Sequence, residues 1–222
     1  MTVPVVLLHG FGTSSARTWG DNGWFDLLAD AGREAMGIDL LGHGTAPKPH
    51  DPAAYEAMGE YVAAQLPPGP VDAIGFSLGA RTLLEMAVDK PGRFRRIVTL
   101  GVGANLMRPA DTDPLISAVS GTADATNPMA QYFARLSEHP DSDPDALAAV
   151  LRARRQLLTP ERLAVIDLPV LVVIGDRDFA GPGDPLADAL PQARLLVLPG
   201  VDHFATPKDF GAIDAALNFL SA

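Results

Sequence analysis

The sequence contains no cysteine. Disulfides, thiolate nucleophiles and thiolate-held metals are thereby excluded, while the compartment stays open. Basic residues are scarce beside acidic ones, 17 against 27, for a net charge of -10. A surface of that sign repels phosphate backbones and anionic lipid, so neither nucleic acid nor a membrane is an expected partner. No apolar run is long enough to span a bilayer. The opening stretch MTVPVVLLHG has no basic n-region and too short an apolar run for a signal peptide, so the expected compartment is the cytoplasm. Metal-ligand spacings and dinucleotide fingerprints are also missing, and no metal or cofactor is expected. GVGAN, Gly101 to Asn105, is too short a signal for a phosphate loop. Repeats, linkers and low-complexity tracts do not occur.

What remains is 222 residues, 47% of them hydrophobic, enough for one domain with a full core. Six short apolar runs read as buried strands: Val3 to His9, Glu34 to Leu40, Val71 to Phe76, Arg96 to Val102, Pro169 to Gly175 and Ala193 to Gly200. Most lack clean alternation, the mark of parallel strands covered on both faces. Helical patterns separate most of them, at Trp24 to Ala31, Pro52 to Leu66, Leu78 to Asp89, Gly183 to Leu190 and Lys208 to Leu220. The expected fold class is therefore α/β, a six-stranded, mostly parallel sheet with helices on both faces. Between Val102 and Pro169 lies far more chain than a crossover helix needs. Asn127-Pro128, Asp143-Pro144 and Thr159-Pro160 each put a capping side chain before a proline at the first helical position. Residues 104–168 thus read as an inserted helical layer.

The stretch VDAIGFSLGARTLLEMA, Val71 to Ala87, places Ser77 between Gly75 and Gly79 where a strand becomes a helix. In an α/β sheet, ligands sit at the carboxyl ends of strands. A tight strand-to-helix turn exposes the hydroxyl at a helix N-terminus, and the glycines remove Cβ atoms that would clash. Chance alone places only about 0.07 such G-x-S-x-G matches in a chain of this composition, so an N-capping serine is the weaker explanation. A serine needs a base. Of the five histidines, His50 and His139 lie in polar stretches and read as surface residues. His9 and His43 follow the first two strands. His203, in LPGVDHFATP, follows the last strand and is the expected base. The base needs a carboxylate to fix its tautomer. VLVVIGDRDFAGP offers Asp178, far enough past its strand to reach His203, with Asp176 as the alternative and a turn former. Asp202 points elsewhere if its loop is extended. The oxyanion donors expected are the backbone N–H groups of Leu78 and of Phe11 in HGFG.

The order Ser77, Asp178, His203, with HGFG in front and GFSLG in the middle, resembles the α/β-hydrolase superfamily over nearly the whole chain. DLLGHG, Asp39 to Gly44, is similar to the D-x-x-G-x-G turn of its lipase and epoxide-hydrolase-like branch, and PVLVVIGDRD to that branch's acid-bearing strand, in which Asp178 matches the triad acid. The resemblance implies a Ser-His-Asp hydrolase with a cap between the family's sixth and seventh strands. Two departures from the family pattern are expected: the usual N-terminal hairpin is missing, hence six strands, and the cap is short, over a shallow or open pocket. Epoxide hydrolases and haloalkane dehalogenases carry Asp at the nucleophile position, which Ser77 argues against.

The function expected is hydrolysis of a small carboxylic ester, thioester or lactone through an acyl-enzyme on Ser77. Two rivals stand beside it: C–C bond hydrolysis or cofactor-free perhydrolysis on the same residues, and a ligand-binding protein with negligible turnover. The partner expected is a small-molecule acyl substrate, and the oligomeric state stays open. Arg152, Arg154 and Arg155 fall on the helical pattern PDALAAVLRARRQLL. Arg154 lies near its apolar stripe, where it could hold an anionic substrate or simply be solvated. Trp19, Trp24 and Phe25 could line an acyl pocket or belong to the core. Arg81 is spaced to pair with Glu85.

Overall fold

The computed structural model describes residues 3–124 and 126–221. Six parallel strands form one sheet in the order β2-β1-β3-β4-β5-β6. They are β1 Val5–Leu8, β2 Ala35–Ile38, β3 Val71–Phe76, β4 Phe94–Leu100, β5 Val170–Gly175 and β6 Ala193–Leu198. All six sequence runs become strands, with ends trimmed or moved by a residue or two.

β1, β3 and β5 are buried along their whole length, which is why their sequences lack alternation. Val5 and Leu7 pack with helices α1 (Trp24–Asp30) and α9 (Phe210–Ser221) on one face of the sheet. Val6 and Leu8 pack on the other, with α2 (Met58–Ala63), α3 (Leu78–Asp89) and α8 (Asp184–Ala189). Trp19 and Trp24, fully buried and edge-to-face at 5.3 Å, belong to the first core, with Phe25 packed against it. The core reading of these three aromatics is the right one.

Between β4 and β5 the chain forms α4 (Asp113–Val119), α5 (Pro128–Ser137), α6 (Pro144–Arg152) and α7 (Pro160–Leu163). The first three enclose a small apolar cluster of their own, built on Val119, Phe133 and Leu147. Asn127, Asp143 and Thr159 cap α5, α6 and α7 by accepting from N–H groups of the first turn, as an Asx or Thr residue before proline should. α4 and the turn Ala104–Met107 have no such signal; Thr112 makes no capping bond.

Two helical expectations need correction. The Pro52 to Leu66 pattern splits into a turn at Pro52–Tyr55 and α2; Tyr55 is buried and its hydroxyl donates to the Pro49 carbonyl. The final helix starts at Phe210 rather than Lys208, because the Asp209 carboxylate accepts from Ala212 N–H and caps it.

Candidate active site

The strand register decides what meets at the carboxyl edge. Leu8 of β1 aligns with Gly75 of β3, Phe76 with Leu100 of β4, Leu100 with Val173 of β5, and Gly175 with Leu198 of β6. The segments that leave these strands therefore emerge side by side. They carry HGFG, Ser77, Gly101, Asp178 and His203.

Ser77 lies between β3 and α3 with φ 51° and ψ -108°, the sole non-glycine residue with positive φ among the described residues. Such a conformation costs about 1–3 kcal/mol and persists only where the surroundings enforce it. The flanking glycines show how. A Cβ on Gly75 would lie 2.6 Å from the Ala80 backbone of α3, and one on Gly79 would lie 2.2 Å from the Leu8 carbonyl oxygen. The turn can close only because both are absent.

Ser77 Oγ lies 3.0 Å from His203 Nε2. His203 Nδ1 lies 2.9 and 3.0 Å from the two oxygens of Asp178. Asp178 is acceptor-only, so Nδ1 carries the proton and Nε2 is left to accept from the serine hydroxyl. Asp178 and His203 are both buried, and Ala180 N–H donates to Asp178 Oδ1 at 2.8 Å. The imidazole is packed between Phe76 and Phe179, with ring centroids 5.0 and 4.2 Å away. A Cβ on Gly101 would lie 3.2 Å from it, so that glycine makes room for the ring.

The other acidic candidates have different partners. Asp176 accepts from Gly200 N–H and ties the turn after β5 to the turn after β6. Asp202 accepts from the N–H groups of Phe204 and Ala205. His50 and His139 lie at the surface, paired with Asp143 and Asp141.

HGFG packs against the serine turn. A Cβ on Gly10 would lie 2.8 Å from the Phe76 ring and 3.5 Å from Ser77 Cβ, and the Gly12 carbonyl accepts from Arg17 at 2.8 Å. The Phe11 and Leu78 N–H groups donate to no group among the described residues. His9 and His43 are buried beneath the loop. Burial pulls His9 down to about 4 and His43 to about 3, so both are neutral. His9 Nε2 accepts from Leu40 N–H, and His43 Nδ1 bonds the Leu41 carbonyl. The Asp39 carboxylate joins the loops after β1 and β2, accepting from Ser15 and Thr45. Burial alone would raise its pKa, but these bonds win and hold it below the ordinary value. Gly44 is required because a Cβ there would strike Asp39.

Two cavities meet at Ser77. The smaller, about 250 Å³, lies toward Thr13, Arg17, Tyr132 and Phe204. The larger, about 820 Å³, runs under α4 and the end of α6 toward Leu106, Leu115 and Leu157. Tyr132 of α5 stacks on Phe204 at 3.5 Å, so the helices between β4 and β5 touch the His203 loop directly.

Arg154 does not reach this site. α6 ends at Arg152, Ala153 leaves the helical conformation with ψ 135°, and the chain runs on to Leu158, which is buried and whose N–H bonds the Leu106 carbonyl. In the extended segment alternate side chains diverge. Arg154 is exposed and borders only a separate groove beside α2, whereas Arg155 lies between that groove and the larger cavity at Ser77 and lines both. Arg81 pairs with Glu85 at 2.7 Å and also bonds the Gln156 carbonyl. The sequence patterns give Tyr132 and Phe179 no part in the site and name Gly101 and Arg155 without placing them there, since no local pattern marks their proximity to the serine.

The model of the alpha/beta hydrolase family matches residues 5–212. A pimeloyl-acyl-carrier protein methyl ester esterase of Neisseria meningitidis serogroup C is 30% identical over 230 residues, covering 90% of this chain and 86% of its own. Among solved structures, an esterase from Exiguobacterium antarcticum superposes with a TM-score of 0.78 at 20% identity, covering 99% of this chain and 92% of its own. The enol-lactonase of Burkholderia xenovorans LB400 gives 0.77 at 19% identity, covering 100% and 92%. These structural likenesses bear on the fold. The family match, spanning nearly the whole chain, bears on its descent: the chain belongs to the alpha/beta hydrolase family.

Proposed function

We propose that this protein hydrolyses a small carboxylic ester, thioester or lactone through an acyl-enzyme on Ser77. The observation that carries the reading is the bonded series Ser77 Oγ to His203 Nε2 at 3.0 Å and His203 Nδ1 to Asp178 at 2.9 Å. Ser77 attacks the substrate carbonyl as His203 takes its proton, and Asp178 holds the imidazole in the tautomer that can do so. The free N–H groups of Phe11 and Leu78 receive the negative charge that develops on the carbonyl oxygen. His203 then protonates the leaving alcohol or thiol. A water deprotonated by His203 attacks the acyl-enzyme, releasing the acid and restoring the serine.

The helices between β4 and β5, residues 104–168, act in this reading as a cap that supplies one wall of the larger cavity. The ester class is supported by the name of the Neisseria relative, whose substrate is a methyl ester. Acid release from a panel of methyl and short-chain esters tests it. Turnover in the wild type, lost in Ser77→Ala, is the expected result. Failure to cleave any member of the panel, with a diketone cleaved instead, would move the reading to C–C hydrolysis.

A further inference from the structure

The larger cavity has an unusual charge for this protein. The whole chain carries -10, yet this wall presents Arg81, Arg108, Arg152 and Arg155, with Asp113 as its sole carboxylate. Three of the arginines are accounted for. Arg81 is held by Glu85 and the Gln156 carbonyl, and Arg108 and Arg152 are exposed to solvent.

Arg155 is different. Among the described residues it makes neither a hydrogen bond nor an ion pair, and its Nη2 is sealed from solvent without a partner. A buried guanidinium nitrogen without an acceptor is costly to keep, because it has given up water and gained no bond in return. Burial accordingly pulls its pKa below the ordinary arginine value, with the charge of Glu85 working the other way. Glu85 is bonded to Arg81 and makes no hydrogen bond to Arg155 among the described residues.

Apart from Asn105 and Thr112, the remainder of the lining is mainly apolar, with Leu106, Leu115, Ile116, Leu151 and Leu157 among it. A largely apolar cavity lined by both a nucleophile and an unpaired guanidinium fits a chain with an ester at one end and an anion at the other.

We infer that the larger cavity takes the acyl part of the substrate, and that Arg155 binds a carboxylate or phosphate oxygen distal to the scissile ester. The smaller cavity is left for the leaving group. The inference rests on the ester-hydrolase reading above and narrows it to esters whose acyl portion is anionic at its far end. A guanidinium suits this task because it donates two parallel hydrogen bonds to one oxyanion group. The contact lies away from the reacting carbonyl, so its effect belongs mainly to KM.

The test compares matched methyl esters on the purified full chain: the monomethyl ester of a linear dicarboxylic acid, a phosphate-ended ester of equal length, and a neutral ester ended by a carboxamide. The wild type should favour at least one anionic member by about tenfold or more in kcat/KM, and the better of the two identifies the group. In Arg155→Met the ratio of anionic to neutral should fall toward one, and Arg155→Lys should keep part of it. Calorimetry with the free dicarboxylate and with the phosphate-ended acid reads the subsite without turnover. At least one should bind the wild type, and less tightly the Met variant. Equal kcat/KM for anionic and neutral esters, or a preference that survives Arg155→Met at wild-type Tm, would overturn the inference while leaving ester hydrolysis intact. Loss of all ester turnover would instead strike the reading beneath it, and the calorimetry would still decide the role of Arg155.

Discussion

Ser77 holds its positive φ without glycine's freedom, and its hydroxyl accounts for no capping bond in α3. The strain has no structural return, which fits a side chain kept for its position. Ser77→Ala should therefore fold with unchanged or slightly raised stability while kcat falls by about 10⁴-fold or more, checked by a melting curve beside an esterase assay. Asp178→Asn should cost about 10³–10⁴-fold in kcat, since the amide favours the wrong imidazole tautomer. Asp176→Asn should cost far less, because Asp176 serves Gly200 rather than His203. The reverse ranking would move the acid. Sequence could rank these two aspartates by distance past the strand. It could not separate Arg154 from Arg155, because that depends on where α6 stops and on the path by which the chain then reaches Leu158, bonded to Leu106 far away in sequence.

The strands and their flanking helices follow from apolar runs and caps that act locally, so they were legible. α4 was not: without a capping side chain its start looks like loop, and it forms because Ala118 and Val119 find a core among α5 and α6. The serine turn is local in signal but tertiary in cause. Gly79→Ala would drive a Cβ into the Leu8 carbonyl of β1; either β1 or α3 must shift, and the variant should lose more than the ~1 kcal/mol typical of a point substitution, read from urea denaturation. β3 carries a second feature hidden from sequence reading. Asp72 is fully buried at the opposite end from Ser77 and is bonded by Arg33 and Arg95. Asp72→Ala would leave two guanidinium groups without their shared carboxylate. It should destabilise the fold by about 1–3 kcal/mol, since Arg95 is partly exposed and Arg33 keeps the Leu220 and Val3 carbonyls, as measured by the shift in urea midpoint. A loss below ~1 kcal/mol would mean solvent reaches both arginines freely.

On the scale of the whole molecule, two buried neutral histidines make stability depend on pH. Burial holds His9 at about 4 and His43 at about 3, while in the unfolded chain both titrate near ~6.5. Below that value the unfolded chain binds more protons, so stability is full above about pH 6.5 and declines as pH falls toward 4, by up to about 1.4 kcal/mol per pH unit for each histidine. His50, raised by its bond to Asp143, opposes this only weakly because it is exposed. Urea midpoints measured between about pH 7 and about pH 5 should fall steadily, and a flat profile would show that water reaches the two rings. No helix among the described residues is long and apolar enough to cross a membrane. The central claim is that the sheet edge gathers Ser77, His203 and Asp178 into one acylating centre. Its most direct measurement is the mass of the intact protein and of its peptides after treatment with a fluorophosphonate. The account predicts one adduct, on Ser77, formed at a rate that collapses in His203→Gln. An adduct on another residue, or labelling of Ser77 undiminished in His203→Gln, would contradict it.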